Sequence, residues 1–266
     1  MRQDDFPQID TRVASAARVY DYMLGGTDNY AVDRAWAGQL EEMLPGSGAI
    51  ARNNRRFLER AVRYLSGECG IRQFIDNGSG LPTQNNVHQI AQSLAPGSRV
   101  VYIDSDPVVV HHQKVSALAE NDDTAFLLAD ARDVEEILGR PETQRLLDFG
   151  QPAAALYMSF LHFVPNDDDP WGMVRRMMSR LAPGSYLVIS TIASDDASLR
   201  QWTTEYFRDT TRAGQTRSKQ DVEAFFDGLE LVEPGLVNIT QWRPDDREEE
   251  QSDRWVMFGG IGRKPA

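Results

Sequence analysis

The chain has 266 residues, 41% apolar and 26% charged, with a formal net charge of -12. That is enough to bury one substantial core, and it excludes a disordered or fibrous protein. A single cysteine, Cys69, excludes an internal disulfide framework, and no run approaches the roughly 18 consecutive apolar residues of a membrane span. The surplus of negative charge repels polyanions, so neither nucleic acid nor membrane is an expected partner. The polar opening, Met1 to Asp5, carries no apolar export signal, and the expected location is the cytoplasm.

Two helices come first. Residues 15–24 end on Gly25-Gly26, and Asp28 is placed to cap a second helix that runs to residue 44 before Pro45-Gly46. A third helix carries Ile50, Phe57, Leu58, Ala61, Val62 and Leu65 on one side. Its arginines, Arg52, Arg55, Arg56, Arg60 and Arg63, are expected to form a solvated face. Residues 1–70 therefore read as a helical cap or lid, and residues 71–266 as the main domain.

From residue 72 short β-rich runs alternate with helical stretches, the pattern of βαβ units around a parallel sheet. Strands are predicted at 73–76, 98–103, 125–128, 153–158 and 186–191. Helices are predicted at 85–94, 107–119, 133–139, 170–181, 198–209 and 218–226. Residues 229–239 and 255–261 read as two more strands. The polar stretch between them contains Pro244 and lacks a helical stripe, so a parallel return is excluded and an antiparallel hairpin is expected. The predicted fold is α/β and Rossmann-like, with a seven-stranded, mostly parallel sheet, an antiparallel last strand and the N-terminal helical lid.

In such a sheet, ligands bind beyond the carboxyl ends of the strands. After the first strand comes Asp76-Asn77-Gly78-Ser79-Gly80, where the glycines allow a sharp turn and close approach of a ligand to the backbone. Asp76 can accept hydrogen bonds from an ammonium group. After the second strand, Asp104-Ser105 offers a carboxylate to a ribose diol, while Asp106 reads as a helix cap. After the third, Asp130-Ala131-Arg132 suits the exocyclic amine and ring nitrogens of adenine. Each acid could instead cap the helix behind it.

A dinucleotide fingerprint counted from Gly78 would need glycine at 83, where Thr83 stands, and Asp104 lies 28 positions beyond Asp76. Both points weigh against a dehydrogenase. An acid-rich site suits a ligand that joins a nucleoside to an amino acid and has no phosphate.

Several segments together resemble one family, the S-adenosyl methyltransferases common in actinobacteria and formerly classed as a domain of unknown function. They are residues 17–30, containing Tyr20-Asp21-Tyr22-Met23-Leu24-Gly25-Gly26, then 71–83, 101–107, 225–231 and Trp242-Arg243-Pro244-Asp245. The resemblance spans nearly the whole chain. It implies a class I methyltransferase fold, S-adenosyl-L-methionine as donor and S-adenosyl-L-homocysteine as product. It also implies cofactor contacts at Gly78, Gly80, Asp104, Asp130 and Ala131. Asn77 departs from the apolar residue expected there.

A methyl acceptor would lie near Ser159 and His162, after the fourth strand. Ser159 is a further cofactor-contact candidate. His162 could act as a general base, or could be packed under the cofactor. Tyr20, Tyr22, Gly25, Gly26, Asn29 and Tyr30 could form a lid hinged at the glycines, or simply cover the sheet edge. No metal site is expected: His111 and His112 are adjacent and so face differently, and Asp167 to Asp169 read as a helix start. The leading expectation is methyl transfer to a small molecule. The alternatives are a non-catalytic adenosyl-ligand binder and, less favoured, a nucleotide-dependent oxidoreductase. The oligomeric state is not readable from the sequence.

Overall fold

The computed structural model describes residues 10–82, 85–109, 122–208, 214–247 and 256–266. Helices α1 (Ala16–Met23), α2 (Ala31–Met43) and α3 (Ser47–Gly67) precede the sheet. The strands are β1 (Gln73–Asn77), β2 (Arg99–Asp104), β3 (Thr124–Leu128), β4 (Ala154–Met158), β5 (Tyr186–Ala193), β6 (Glu230–Leu231), β7 (Val237–Asn238) and β8 (Val256–Arg263). Between and after them lie α4 (Val87–Leu94), α5 (Val134–Gly139), α6 (Pro141–Leu146), α7 (Pro170–Arg180), α8 (Ala197–Arg208) and α9 (Lys219–Glu223).

The strands form one sheet in the order β3-β2-β1-β4-β5-β8-β6, with β7 also pairing to β8. β1 to β5 are parallel, and β8 is antiparallel to β5, β6 and β7. The order reverses between β1 and β4, which places the topological switch point at the carboxyl ends of those two strands. This is the mostly parallel α/β sheet expected of the family that the sequence resembles.

Alternation along the strands sends Ile75, Val101, Tyr157 and Leu187 to one apolar layer, under α5, α6 and α7. Phe74, Val100, Leu156 and Val188 go to the other, under α3 and α4. Several expectations need correction. The sheet has eight strands rather than seven, because the predicted strand 229–239 is broken into β6 and β7. Pro234 has no N–H for a ladder, and Gly235 N turns back to Val232 O (2.8 Å). The segment after β7 is not wholly a polar loop, since Trp242 is fully buried edge-on to Phe57 and Tyr64.

The arginines of α3 do not share a solvated face. Arg52 and Arg63 are exposed, but Arg60 is 9% exposed and donates to Ile239 O (2.6 Å) and Trp242 O (3.0 Å). It joins the helix to the tail. Helix α2 starts at Ala31 and is closed not by Asp28 but by Asp33, which accepts from Tyr30 N (2.8 Å) in a capping box. Asp33 also pairs with Arg18 (2.8 Å) where both are buried, tying α1 to α2. The helix predicted at 107–119 lies largely outside the described residues, as do Thr83, His111, His112 and Trp255.

Candidate functional site

A cavity of about 190 Å³ runs across the carboxyl ends of the strands, roofed by α1, α2 and α3. Asp76, Gly78, Ser79 and Gly80 line it from β1, and Asp104 and Ser105 from β2. Asp130 and Ala131 enter after β3, and Ser159 and His162 after β4. The structure thus brings together residues that stand far apart in the chain.

The turn after β1 is shaped by its glycines. Gly78 has φ +71°, and a Cβ there would sit 2.2 Å from the Phe160 ring. Gly80 has φ +67°, and a Cβ would meet nothing within 4 Å, so the cavity reaches its bare backbone. Asp104, 8% exposed, anchors this turn and its own: Oδ2 accepts from Gly80 N (3.0 Å) and Oδ1 from Asp106 N (2.9 Å). Asp106 in turn accepts from Val108 N (2.9 Å), the cap expected of it.

Asp76 is 6% exposed, and burial pushes its carboxyl up to about 7. The Arg55 charge pulls the other way, and Asp104 adds to the rise. Asn77 does not reach the cavity. Successive strand residues face opposite ways, so with Asp76 turned inward Asn77 is buried beneath the sheet, donating to Leu156 O (3.2 Å). Arg132 also lies outside the lining. Its guanidinium forks onto Asp130 (2.9 Å and 3.0 Å from Nε) and reaches Asp168 (2.5 Å).

His162 is 2% exposed. Burial, with the Arg217 charge, lowers its imidazole to about 3, so the ring is neutral at physiological pH. Thr191 Oγ1 lies 3.4 Å from Nδ1, and Ile192 N donates toward it at 3.5 Å. The loop carrying it is pinned by Arg217, which donates to Leu161 O and Val164 O (2.7 Å each) and to Asn166 Oδ1 (3.0 Å). Asp169 caps α7 by accepting from Gly172 N (2.9 Å), as a helix start should.

Of the six candidate lid residues, only Tyr20 lines the cavity. Tyr22 and Tyr30 are exposed on the outside of the helices. Asn29 Nδ2 and Asp28 N both donate to Asp21 Oδ2 (2.9 Å each), and Gly26 N donates to Asp21 O (2.9 Å). A Cβ on Gly26 would fall 2.0 Å from Asp21 Oδ1, so this turn is folded tightly onto Asp21.

Sequence reasoning missed several lining residues: Asn54 and Arg55 on α3, Trp36 and Leu40 on α2, and Met158, Ile192 and Met257 at the strand ends. The two polar ones had a signal. Asn53 and Asn54 interrupt the apolar stripe of α3, and an amide on a buried stripe needs a polar partner inside. Arg55 follows them and donates to Asn85 O (2.6 Å).

Comparison with known proteins agrees with this arrangement. A family model described as S-adenosyl methyltransferase matches residues 2–265. A candidate methyltransferase from Thermobifida fusca YX is 40% identical with a TM-score of 0.88, covering 97% of each chain. A DUF574 family protein from Streptomyces avermitilis MA-4680 is 38% identical with a TM-score of 0.89, covering 97% of this chain and 100% of the other. The [4+2]-cyclase SpnF, 18% identical with a TM-score of 0.53 over 80% of this chain and 81% of its own, is similar in fold alone. No curated protein shows significant similarity to the chain.

Proposed function

Because the chain belongs to the S-adenosyl methyltransferase family, we propose that it transfers the methyl group of S-adenosyl-L-methionine to a small-molecule acceptor, leaving S-adenosyl-L-homocysteine. The observation that carries this reading is Asp76, a buried carboxylate raised to about 7 at the cavity wall. A cationic ligand would restore its charge, and a phosphate-bearing one would oppose it. Gly80 fits as well, because the space a side chain would fill lies open beside its backbone.

In this reading Asp104, already oriented by two backbone N–H groups, accepts from the ribose diol. A carboxylate has about four lone-pair sites, so both tasks can coexist. Asp76 faces the ammonium of the methionine moiety, and Arg55, close enough to lower the Asp76 carboxyl, faces its carboxylate. The backbone of Gly78, Ser79 and Gly80 packs against the same moiety. Asp130, Ala131 and Ser105 border the adenosine, with Arg132 holding Asp130 in place. Asn77 serves the sheet.

When bound, S-adenosyl-L-methionine would supply an already activated methyl group together with its own neutral leaving group. The protein's part is alignment and exclusion of water. Ser159 and His162 sit where donor and acceptor would meet. An imidazole near 3 is too weak a base to serve at neutral pH, so His162 acts as a positioning residue. Helices α1, α2 and α3 roof both ligands.

Titration calorimetry with S-adenosyl-L-methionine, S-adenosyl-L-homocysteine and NAD tests the donor assignment. Micromolar binding of the two adenosyl amino acids with none of NAD is expected, and preference for NAD would sink it.

A further inference from the structure

Beyond Ser159 the cavity changes character. Its floor becomes Met158 at the end of β4 and Ile192 opposite Met257 where β5 pairs with β8. Trp36, Leu40 and Ile50 add further apolar lining from α2 and α3. The polar groups at this end are engaged with one another. Tyr20 donates its hydroxyl to Ala51 O (3.1 Å) and accepts from Asn54 Nδ2 (2.8 Å). Asn54 Oδ1 accepts from Ser190 Oγ (2.6 Å), which accepts from Ser159 N (2.9 Å). Asp21 Oδ2 is taken up by Asp28 N and Asn29. Arg55, Asp76, Asp104 and Asp130 belong to the other end.

We propose that this end receives the methyl acceptor, and that the acceptor is a largely apolar small molecule without an anionic group, carrying one nucleophilic atom. The proposal rests on the donor reading, since the chamber is continuous with the donor site and opens past Ser159. An anionic acceptor would lose its hydration here and face the buried Asp21 carboxylate rather than an opposite charge, whereas an apolar one exchanges water for aliphatic, thioether and indole surface. Thioethers from two strand ends and an indole suit a flat or irregular ring, because methionine adapts its shape and contacts aromatic edges favourably. The Tyr20-Asn54-Ser190-Ser159 chain fixes the wall between the two ends, so the nucleophilic atom lies at the boundary and the apolar body lies away from it.

The test uses the full chain saturated with S-adenosyl-L-homocysteine and two fluorescent probes, neutral N-phenylnaphthylamine and its sulfonate. The neutral probe is expected to bind one saturable site at least about tenfold more tightly than the sulfonate. Trp36→Glu is expected to weaken the neutral probe about tenfold while leaving homocysteine-adduct affinity within about twofold. Trp36 is only half-buried, which favours folding of this variant. Ile192→Asp, also half-buried, gives a second reading of the same wall. Sulfonate binding as tight as the neutral probe, or neutral-probe affinity unchanged in both variants, overturns the proposal. Failure of the wild type to bind S-adenosyl-L-homocysteine instead overturns the donor reading, and the acceptor proposal with it.

Discussion

The two ends of the cavity stand on the same architecture and differ completely in chemistry. At the carboxyl ends of β1, β2 and β3 stand or follow Asp76, Asp104 and Asp130; at β4, β5 and β8 stand Met158, Ile192 and Met257. The sheet supplies position, and residue choice supplies recognition. One end concentrates acids and bends them to shape with backbone N–H groups, which suits the proposed donor with its two cationic centres and diol. The other holds one carboxylate, Asp21, already bonded by Asp28 N and Asn29, and keeps its hydroxyls and amides bonded to each other.

The largest effect should come from the acid that does two jobs. Asp104→Ala removes the acceptor for Gly80 N and Asp106 N along with the proposed ribose contact, and about hundredfold weaker S-adenosyl-L-homocysteine binding by calorimetry is expected. A change below threefold would break the contrast between the ends.

Asp76→Asn comes next, with S-adenosyl-L-methionine bound about ten- to thirtyfold more weakly at pH 8. The wild-type carboxyl is protonated below about 7, so donor affinity should rise as pH climbs toward that value and then level off; the variant should be flat. Its folded value lies above the ordinary 3.8, so the folded state holds the proton more tightly than the unfolded chain. Ligand-free stability from this group is therefore present below about 4 and declines as pH rises to about 7. Thermal unfolding at pH 8 should find Asp76→Asn more stable than wild type without ligand and less stabilised by it.

Asp130→Asn should cost only about three- to fivefold in donor affinity, because much of that carboxylate is spent on Arg132. A loss as large as that of Asp104 would place Asp130 in the front rank. His162→Gln stands at the boundary between the ends and should show the smallest pH effect. Turnover on a true acceptor should fall with no change in the slope of its pH profile between about 6 and 8. Loss of an acid limb in the variant would reinstate His162 as a base.

Much of this was legible in the chain. The alternation of β-rich and helical runs located five parallel strands, and the lack of a helical stripe after residue 240 identified an antiparallel tail. Asp76, Gly78, Gly80, Asp104 and Asp130 could be picked out because strand ends are where open sheets bind ligands. Burial that depends on distant partners was not legible. Arg60 looks like any surface arginine until the carbonyls of Ile239 and Trp242 come to it. The apolar chamber was hidden for a different reason. Leu40 and Ile50 belong to amphipathic stripes, and a stripe facing a cavity has the same period as one facing a packed core. Asp33 displaced Asp28 as the cap of α2 because capping depends on where the chain turns, and Asp21 had already drawn the Asp28 backbone inward.

The position of β8 bears on how the molecule assembles. It follows β1 to β7 in the chain, yet it sits inside the sheet, with eight residues paired to β5 on one side and the two-residue strands β6 and β7 on the other. While the chain is on the ribosome, β5 presents an open edge, and β6 and β7 wait for the same missing neighbour. Such an edge invites pairing with other chains. The pairing that closes it joins residues about 70 apart in sequence, which slows folding. The cavity, whose lining includes Met257, is therefore completed only when synthesis has passed β8.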